Sequence, residues 1–295
     1  MERTFVVEGL NIDHLPEMKN PCLVGGFLGW PDAGDVASSS IAYIAKILGG
    51  KKFASFESEV FYDFTKVRPQ SKRVSQSDRE ILWPTNDFYH CRVGDADLLL
   101  FLGTEPHLKW KRYIELFLGL AERCGVANVV ILGATYDNVL HTGEPLISGA
   151  TIVAEMRDKL DKLGVSFSDY QGPTSIHSVI LQMCNERNIP GASLWGHSPA
   201  YVQVSPNTKT SYGLLKTVSG LIGIGMPLES LKQEGRALEH QVDTVVDQDP
   251  RLQAYIDQIN DESETRTLSP SENLDPDQVI EELEEFLKNQ GSDVE

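Results

Sequence analysis

Residues 22–48 read CLVGGFLGWPDAGDVASSSIAYIAKIL, where a short apolar run breaks at a turn rich in Gly and Pro and a helical pattern follows. An apolar run of this length, bounded by glycines, predicts a buried strand over residues 23–27. Small and apolar residues at helical spacing, opened by Asp35 and closed by Gly49, predict a helix over residues 35–48. A strand, a glycine turn and a helix in succession indicate an α/β protein, in which binding sites lie where the strands end.

The middle of the chain repeats this alternation. DLLLFLG at 97–103 and the apolar run at 129–133 predict two strands, and residues 108–124 between them predict a helix. Strands that are apolar on both faces are typical of a parallel sheet covered by helices on both sides. The pattern therefore predicts an α/β fold around a mostly parallel sheet. Further elements are predicted as helices at 151–163, 175–187, 208–222, 226–247 and 251–259, and a strand at 192–197.

The less regular segments predict the edges and connections of this fold. An edge strand is expected at 4–7 and a strand pair at 53–61. The polar, basic stretch at 65–80 predicts an exposed loop or extended hairpin, and residues 136–148 predict a loop. Near the end of the chain, residues 262–275 predict a linker, and the narrow apolar stripe at 276–287 predicts a docking helix.

Length and charge indicate one large domain with an appendage. A chain of 295 residues buries a substantial core. We expect an α/β domain over residues 1–225, a helical appendage over 226–261 and an acidic linker and terminal helix over 262–295. Residues 229–295 carry 19 acidic and 5 basic side chains, so they account for most of the net charge of -17. Such a tail is typical of a solvated helical face, and docking of a basic partner is the alternative.

Composition also excludes several classes of protein. An acidic surface repels nucleic acid and anionic lipid, so we expect neither as a partner. Residues 1–20 have two early acids and no long apolar core, and no run approaches the roughly 20 apolar residues of a membrane span. A cytoplasmic protein is expected. Four widely spaced cysteines predict buried thiols, and without a metal-ligand motif we expect no metal and no cofactor.

The first candidate site is the turn itself, with Gly29, Trp30, Asp32 and Gly34 as candidate ligand-binding residues. The helix after it directs free backbone amides at whatever lies above the turn, which favours an anion. The spacing matches neither a dinucleotide fingerprint nor a phosphate loop. Glycines that serve only the tight turn are therefore the alternative.

The second candidate site lies where the next two strands end. Glu105 and His107 follow the strand at 97–103, and Asp137 and His141 follow the strand at 129–133. Convergence of these four polar residues at one sheet edge predicts a pocket with a base and an acid. The alternative is that Glu105 interacts with the first turn of the helix that follows it, predicted at 108–124, and that each histidine is a structural hydrogen-bonding group.

A third candidate is the segment containing Gly172, Pro173 and Thr174, before the helix predicted at 175–187. A nucleophilic hydroxyl is one interpretation, but the segment lacks the glycine-x-serine-x-glycine pattern of a nucleophile elbow. The other interpretation is that Thr174 or Ser175 caps the helix.

Six segments in order resemble the proteasome-assembly-chaperone-2 family, in its bacterial and archaeal branch. They are GFLGWPDAGD, DLLLFLGTEPHLKW, VVILGATYDNVLHT, YQGPTSI, IPGASLWGHSPAYV and DQDPRLQAYIDQI, and the resemblance covers roughly residues 21–259. The resemblance implies a three-layer α/β/α sandwich similar to nucleoside phosphorylases and peptidyl-tRNA hydrolases. It also implies frequent self-association and, by analogy with eukaryotic members, help in assembling proteasome rings.

The resemblance and the lack of a complete catalytic motif favour a non-enzymatic assembly or interaction protein, with a homo-oligomer and a protein partner expected. The alternative is a hydrolase, transferase or ligand sensor that acts on an anionic small molecule in a crevice at the carboxyl edge of the sheet. A purely structural subunit is a third possibility, and it would form only a closed homo-oligomer.

Overall fold

The computed structural model describes residues 5–75, 78–84, 86–167 and 170–264. The strands in these ranges are β1 (Phe5–Val7), β2 (Leu10–Ile12), β3 (Cys22–Leu28), β4 (Lys51–Phe56), β5 (Gln70–Arg73), β6 (Arg79–Leu82), β7 (Asn86–Val93), β8 (Ala96–Thr104), β9 (Asn128–Asp137), β10 (Ile147–Thr151), β11 (Ser166–Phe167) and β12 (Gly191–Pro199). The helices are α1 (Val36–Ile47), α2 (Ser58–Phe61), α3 (Trp110–Arg123), α4 (Ala154–Lys162), α5 (Ile176–Glu186), α6 (Thr208–Ile222), α7 (Glu229–Val246) and α8 (Pro250–Glu264).

One large mixed sheet forms the middle of the fold, in the strand order β1-β2-β4-β7-β8-β3-β9-β12-β10-β11. Its centre, β8-β3-β9-β12, is parallel throughout. The strands on either side of this centre join it in antiparallel pairing. The predicted α/β class with a parallel sheet is confirmed. Because the four central strands run the same way, all four end at one edge of the sheet, which we call the carboxyl edge.

Helices cover both faces of the sheet, as the three-layer expectation requires. Successive strand residues point to opposite faces. In β3, Leu23 and Phe27 join the aromatic-rich core beneath α3 and α5, while Cys22 and Val24 join the core beneath α1, α4 and α6. Both cores consist of fully buried aliphatic and aromatic side chains. Burial on both faces explains why the central strands are continuous apolar runs in the sequence.

Helix α1 packs unusually close to the strand that precedes it. A Cβ atom added to Gly26 would lie 2.9 Å from the backbone oxygen of Ala37 and 3.0 Å from Ile41. The missing side chain therefore lets the backbone of α1 rest directly on β3. This contact fixes where α1 begins, and so fixes the turn that connects the two elements.

The two last helices, α7 and α8, form a third apolar cluster outside the sandwich. Val242 and Leu238 of α7 and Ile256 of α8 pack on Tyr201 and Val202, which follow β12. This cluster places the predicted helical appendage at the carboxyl edge. The domain boundaries drawn from the sequence stay predictions.

Two segments fold differently from the prediction. Residues 53–61 do not form a strand pair, because β4 ends at Phe56 and the short helix α2 follows. The helix predicted at 151–163 begins only at Ala154, because residues 147–151 form β10, paired antiparallel with β12. Neither β7 nor β10 was expected from the sequence. Neither strand contains a continuous apolar run, so the sequence pattern did not indicate them. Their pairing with β8 and β12 identifies them as strands.

Other predictions agree with the structure or fall outside it. The basic stretch at 65–80 contains the hairpin of β5 and β6, the edge strand near the N-terminus is β1, and α6 matches its predicted bounds. Helix α8 extends to Glu264, into the predicted linker, while the rest of that linker and the helix predicted at 276–287 lie outside the described residues. Among the helices that the structure describes, none is long and apolar enough to cross a membrane.

Substitution of Gly26 by Ala should destabilise the protein by about 1–3 kcal/mol, because the new methyl group meets the backbone of α1 and forces the helix off the sheet. Chemical denaturation measures the free energy of unfolding. Gly119→Ala is the matched control: that glycine lies within α3 with no atom within 4 Å of the Cβ position. It should stabilise the helix by about 0.5–1 kcal/mol. Equal effects at the two sites would contradict the close packing of α1.

Candidate functional site

A cavity of about 320 Å³ opens at the carboxyl edge, between the sheet and the first turn of α5. Aromatic rings of Trp30, Trp195 and Tyr170 form part of its wall, and the side chains of Ser148, Thr174 and His197 form another part. A shallower depression of about 550 Å³ lies next to it, over the turn between β3 and α1. Both are lined by Trp30, Thr135 and Trp195, so they form one continuous groove, which we call the edge groove.

Two tryptophans divide the edge groove. Trp30 projects from the turn after β3 with 64% of its surface exposed, and its ring meets Trp195 edge to face at 6.4 Å between centroids. Trp195 in turn packs 4.9 Å from the ring of His177 in α5. Gly133 makes this arrangement possible, since a Cβ atom there would lie 2.9 Å from His177 and 3.0 Å from Trp195. The groove therefore presents aromatic surface held by the sheet beneath.

His177 forms part of the cavity wall but remains neutral. Its Nδ1 lies 3.0 Å from the hydroxyl of Ser193, which also accepts a hydrogen bond from Trp195 Nε1 at 2.9 Å. Burial lowers the pKa of His177 from its usual 6.5 to about 3. No hydrogen-bond partner of the buried His177 Nε2 is found among the described residues. His177 thus adds an uncharged ring to the aromatic wall.

Three polar side chains form a hydrogen-bonded chain at the other wall of the cavity, where Ser148 and His197 belong to the lining and Asp137 lies beside His197. His197 Nδ1 lies 2.8 Å from Asp137 Oδ2, and His197 Nε2 lies 2.7 Å from Ser148 Oγ. The register of the sheet explains the arrangement. Thr135 of β9 pairs with His197 of β12, and Asp137 lies two residues further along β9 on the same face. Ser148 of β10 pairs with Trp195, which lies two residues before His197 on the same face of β12. All three side chains therefore lie on the face covered by α5. Of the three, the sequence singled out only Asp137.

Asp32 is the carboxylate at the start of α1. Its Oδ1 accepts hydrogen bonds from the backbone amides of Ala37 at 2.7 Å and Ser38 at 3.2 Å. Burial of the carboxyl group raises its pKa from 3.8 to about 6, against the lowering effect of these bonds. Oδ2 is buried with no partner in the described residues. The end of α1 that was expected to attract an anion is thus occupied by the protein's own acid.

The flanking glycines adopt backbone conformations that suit the turn. Gly29 has a φ of +113° and Gly34 a φ of +61°, both of which strain residues with a side chain. At Gly34 the chain also passes close to the segment before α6. The carbonyl of Gly34 accepts a hydrogen bond from the amide of Asn207 at 2.9 Å. Both glycines line the shallower half of the edge groove together with Trp30 and Asp32.

Glu105 occupies the start of a second helix. Its Oε1 accepts a hydrogen bond from the first amide of α5, that of Ile176, at 2.8 Å, and burial raises its pKa. Ser175 is the N-cap residue, since its hydroxyl accepts from the amide of His177 at 3.3 Å. The helix that Glu105 contacts is therefore α5, whereas the alternative drawn from the sequence named α3, the helix that follows Glu105.

The other candidates are divided among different places. Pro173 and Thr174 lie on the cavity wall, and Tyr170 donates a hydrogen bond to the carbonyl of Pro173 at 3.1 Å. Gly172 sits against this ring, where a Cβ atom would lie 2.5 Å from the Tyr170 hydroxyl. The three residues of this segment therefore shape the mouth of the cavity.

His107 and His141 lie apart from the cavity and from each other. His107 Nδ1 accepts a hydrogen bond from the amide of Asp63 at 3.3 Å, beyond α2. His141 is buried under α7, with Nδ1 2.7 Å from the hydroxyl of Tyr201 and Nε2 2.9 Å from Asp243. The four polar residues that were expected in one pocket thus lie in different places. Glu105 accepts a hydrogen bond at the start of α5, and Asp137 contacts the cavity residue His197. His107 bonds the segment after α2, and His141 bonds α7.

Ser148, His197 and Trp195 belong to the cavity but were not among the residues predicted from the sequence. The alternation in the strand predicted at 192–197 puts Ser193, Trp195 and His197 on one face, and this spacing was the available signal. Ser148 gave none, because β10 was not foreseen. In the part of the chain that the structure describes, no three His, Cys, Asp or Glu side chains are grouped to hold a metal ion.

Comparison with known proteins identifies the family. The profile of the PAC2 family matches residues 26–246. The chain belongs to the PAC2 family. A PAC2 family protein from Streptomyces avermitilis is 33% identical and has a TM-score of 0.73, over 80% of this chain and 99% of that one. None of the curated proteins compared with the chain matches it.

Other solved structures extend the comparison. A proteasome-assembly chaperone homologue from Mycobacterium tuberculosis is 31% identical, with a TM-score of 0.73 over 80% of this chain and 99% of that one. PbaB of Pyrococcus furiosus, an archaeal proteasome activator, is 18% identical with a TM-score of 0.62 over 83% of this chain and 99% of that one. The last likeness shows the shared fold alone.

Asp32 should make stability depend on pH. Its folded-state pKa of about 6 exceeds the ordinary 3.8. The folded protein therefore binds the proton more tightly, and the free energy of unfolding falls as pH rises through this window. Asp32→Asn keeps the acceptor for the two amides but removes the titration. The free energy of unfolding of the variant, relative to that of wild type, should therefore rise by about 2 kcal/mol between about pH 4 and about pH 7.

Urea unfolding at the two pH values measures this difference. Asp13→Asn, at an exposed carboxylate, is the control and should track wild type at both pH values. A constant difference between Asp32→Asn and wild type would contradict the raised pKa.

Proposed function

We propose that this PAC2 family protein is an assembly-chaperone-like protein that binds a protein partner at the edge groove. The observation that carries the proposal is the exposed aromatic surface there. Trp30 and Tyr170 expose 64% and 67% of their surface, and Tyr136, which lines the shallower half of the groove, is also exposed. Large exposed aromatic side chains grouped around a concave surface are typical of protein interfaces.

The rigidity of the groove supports the same proposal. Trp30 is held against Trp195, and Trp195 against the buried His177, so the exposed ring is preorganised by the core. Preorganised aromatic anchors lose little conformational entropy on binding, and such residues dominate interface energies. The groove lies at the ends of the four parallel strands, where the sheet fixes its backbone.

The relatives indicate which partners to examine first. The Mycobacterium tuberculosis relative is described as a proteasome-assembly chaperone homologue, and the Pyrococcus relative as a proteasome activator. We therefore take proteasome subunits of the source organism as the first candidate partners. Self-association, expected from the family resemblance, is a second mode of binding that the same surface supports.

Ser148 and His197 on the cavity wall are hydrogen-bonded in a chain that reaches Asp137, an arrangement with catalytic potential, so we propose partner binding without the expected lack of enzyme activity. The alternative of a small-molecule site is favoured by the cavity itself, whose volume of about 320 Å³ suits a small ligand. The cytoplasmic location and the absence of a nucleic-acid partner stay predictions.

Trp30→Ala should weaken partner binding by at least about 30-fold, the effect of removing an interface anchor worth about 2 kcal/mol. Isothermal titration with purified proteasome α-subunits measures the affinity, and sedimentation velocity of the chain alone measures self-association. Trp83→Ala is the matched control, since Trp83 is 49% exposed and its ring packs at a tilt against Phe64, 5.1 Å between centroids, near the β5–β6 hairpin. Loss of affinity in the control but not in Trp30→Ala would refute the edge groove as the docking surface.

A further inference from the structure

We infer that Ser148, His197 and Asp137 form a catalytic triad that hydrolyses small uncharged esters in the cavity. Ser148 is the nucleophile, His197 the general base and acid, and Asp137 the positioning residue for the imidazole. This activity is separate from binding of a protein partner, and nothing in the family profile or in the descriptions of the similar structures assigns it.

The hydrogen-bond distances meet the requirements of a triad. Nucleophile and base must lie about 2.6–3.2 Å apart, with a third group orienting the base. Here Ser148 Oγ is 2.7 Å from His197 Nε2, and His197 Nδ1 is 2.8 Å from Asp137 Oδ2. The chain order Asp, Ser, His differs from that of the well-known serine hydrolases, but triads are recognised by geometry and not by sequence order.

The chemistry of the partners fixes the tautomer of His197. A carboxylate can only accept a hydrogen bond, so Nδ1 carries the proton that is donated to Asp137. The neutral ring then has a lone pair on Nε2, and this atom faces the hydroxyl of Ser148. Ser148 therefore donates its proton to the nitrogen that must receive it during attack.

The triad lies where a substrate reaches it. Ser148 and His197 both line the cavity, and the side chains of His197 and Asp137 retain 14% and 33% exposure. The pair of His90 and Asp97 differs from the pair of His197 and Asp137. The Asp97 side chain is fully buried, and it also forms an ion pair with Arg92 and accepts a hydrogen bond from the amide of Lys19. That pair serves as a structural crosslink, whereas the Ser148 chain ends at an accessible hydroxyl.

The proposed reaction proceeds in two balanced steps. In the first, His197 Nε2 takes the hydroxyl proton as Ser148 Oγ bonds to the ester carbonyl carbon. The bond to the leaving alkoxide then breaks, and the alkoxide departs as an alcohol with the proton from His197. In the second step a water molecule gives a proton to His197 and attacks the acyl carbon. The acyl–oxygen bond to Ser148 breaks, Ser148 recovers the proton, and a carboxylic acid is released.

The cavity lining selects the class of substrate. Its volume of about 320 Å³ is at the lower end of ligand sites, so the substrate is small. Trp30, Trp195, Tyr170 and Leu181 supply apolar surface, and the described lining residues include no Lys or Arg to pair with an anion. An uncharged ester with an apolar acyl group fits this lining, in contrast to the anionic substrate expected from the sequence.

The N-terminal end of α5 lies at the cavity wall, with Ser175, His177 and Ser178 in the lining. Its first two amides are used within the protein, because Glu105 accepts a hydrogen bond from the amide of Ile176 and Ser175 accepts one from the amide of His177. This end of the helix therefore shapes the wall, and the geometry of Ser148, His197 and Asp137 carries the inference.

The test combines turnover with covalent labelling. The full chain is assayed with 4-nitrophenyl esters from acetate to octanoate, and separately treated with a fluorophosphonate, after which peptide mass spectrometry locates the label. We expect hydrolysis above the rate in buffer and a label on Ser148. Ser148→Ala should lose at least about 100-fold in kcat/KM and all labelling. Asp137→Asn should lower kcat by at least about 100-fold with KM little changed, as expected when the imidazole loses its orientation.

Ser58→Ala is the matched control, because its hydroxyl also bonds a neighbouring group, the carbonyl of Pro84, but lies outside the cavity. It should keep wild-type turnover. Thermal unfolding of each variant checks that the fold is intact. Absence of labelling at Ser148 in the wild-type chain, or turnover that survives Ser148→Ala, would overturn the inference. Titration of Ser148→Ala with proteasome α-subunits keeps the two proposals distinguishable, since partner binding should survive this change.

Discussion

The parallel pairing of β8, β3, β9 and β12 is the constraint on which the rest of the structure depends. It makes four strands end at one edge, and every feature of functional interest lies there. Trp30 follows β3, Glu105 follows β8, Asp137 ends β9 and His197 lies near the end of β12. Close packing of α1 on Gly26 then holds the first of these turns in place. The PAC2 fold thus concentrates exposed side chains on one rim.

Internal carboxylates determine the electrostatic character of this rim. Among the helices that begin at the carboxyl edge, α1 and α5 border the groove, and each would attract an anion through its unpaired amides. Asp32 and Glu105 already accept hydrogen bonds from those amides. Their burial raises the pKa of both groups, which shows that the fold tolerates a desolvation cost to keep them there. The space left between them is lined by uncharged aromatic rings and hydroxyls, so the groove suits apolar and neutral groups better than phosphates.

The surfaces that we propose for protein binding and for ester hydrolysis are neighbouring parts of this edge. The exposed tryptophan stands at the junction of the two halves of the groove, whereas the serine, histidine and aspartate lie on the sheet face beneath α5. A rigid sheet supports both, because cross-strand pairing fixes the side-chain positions within the precision that catalysis and recognition require. The helices α7 and α8 pack beside this edge and enclose His141, which stabilises the appendage.

The amino-acid sequence by itself determined the α/β class, the main helices, the glycine turn and, through family-like segments, membership of the PAC2 family. These follow from local periodicity and turn chemistry, which act over a few residues. It also placed Trp30, Pro173 and Thr174 near a site. Only the tertiary structure separated His107 and His141 from that site, and only it joined Ser148 and His197 to Asp137. Their contacts depend on the register of β10 and β9 against β12, which is set by long-range pairing between residues that no local pattern connects.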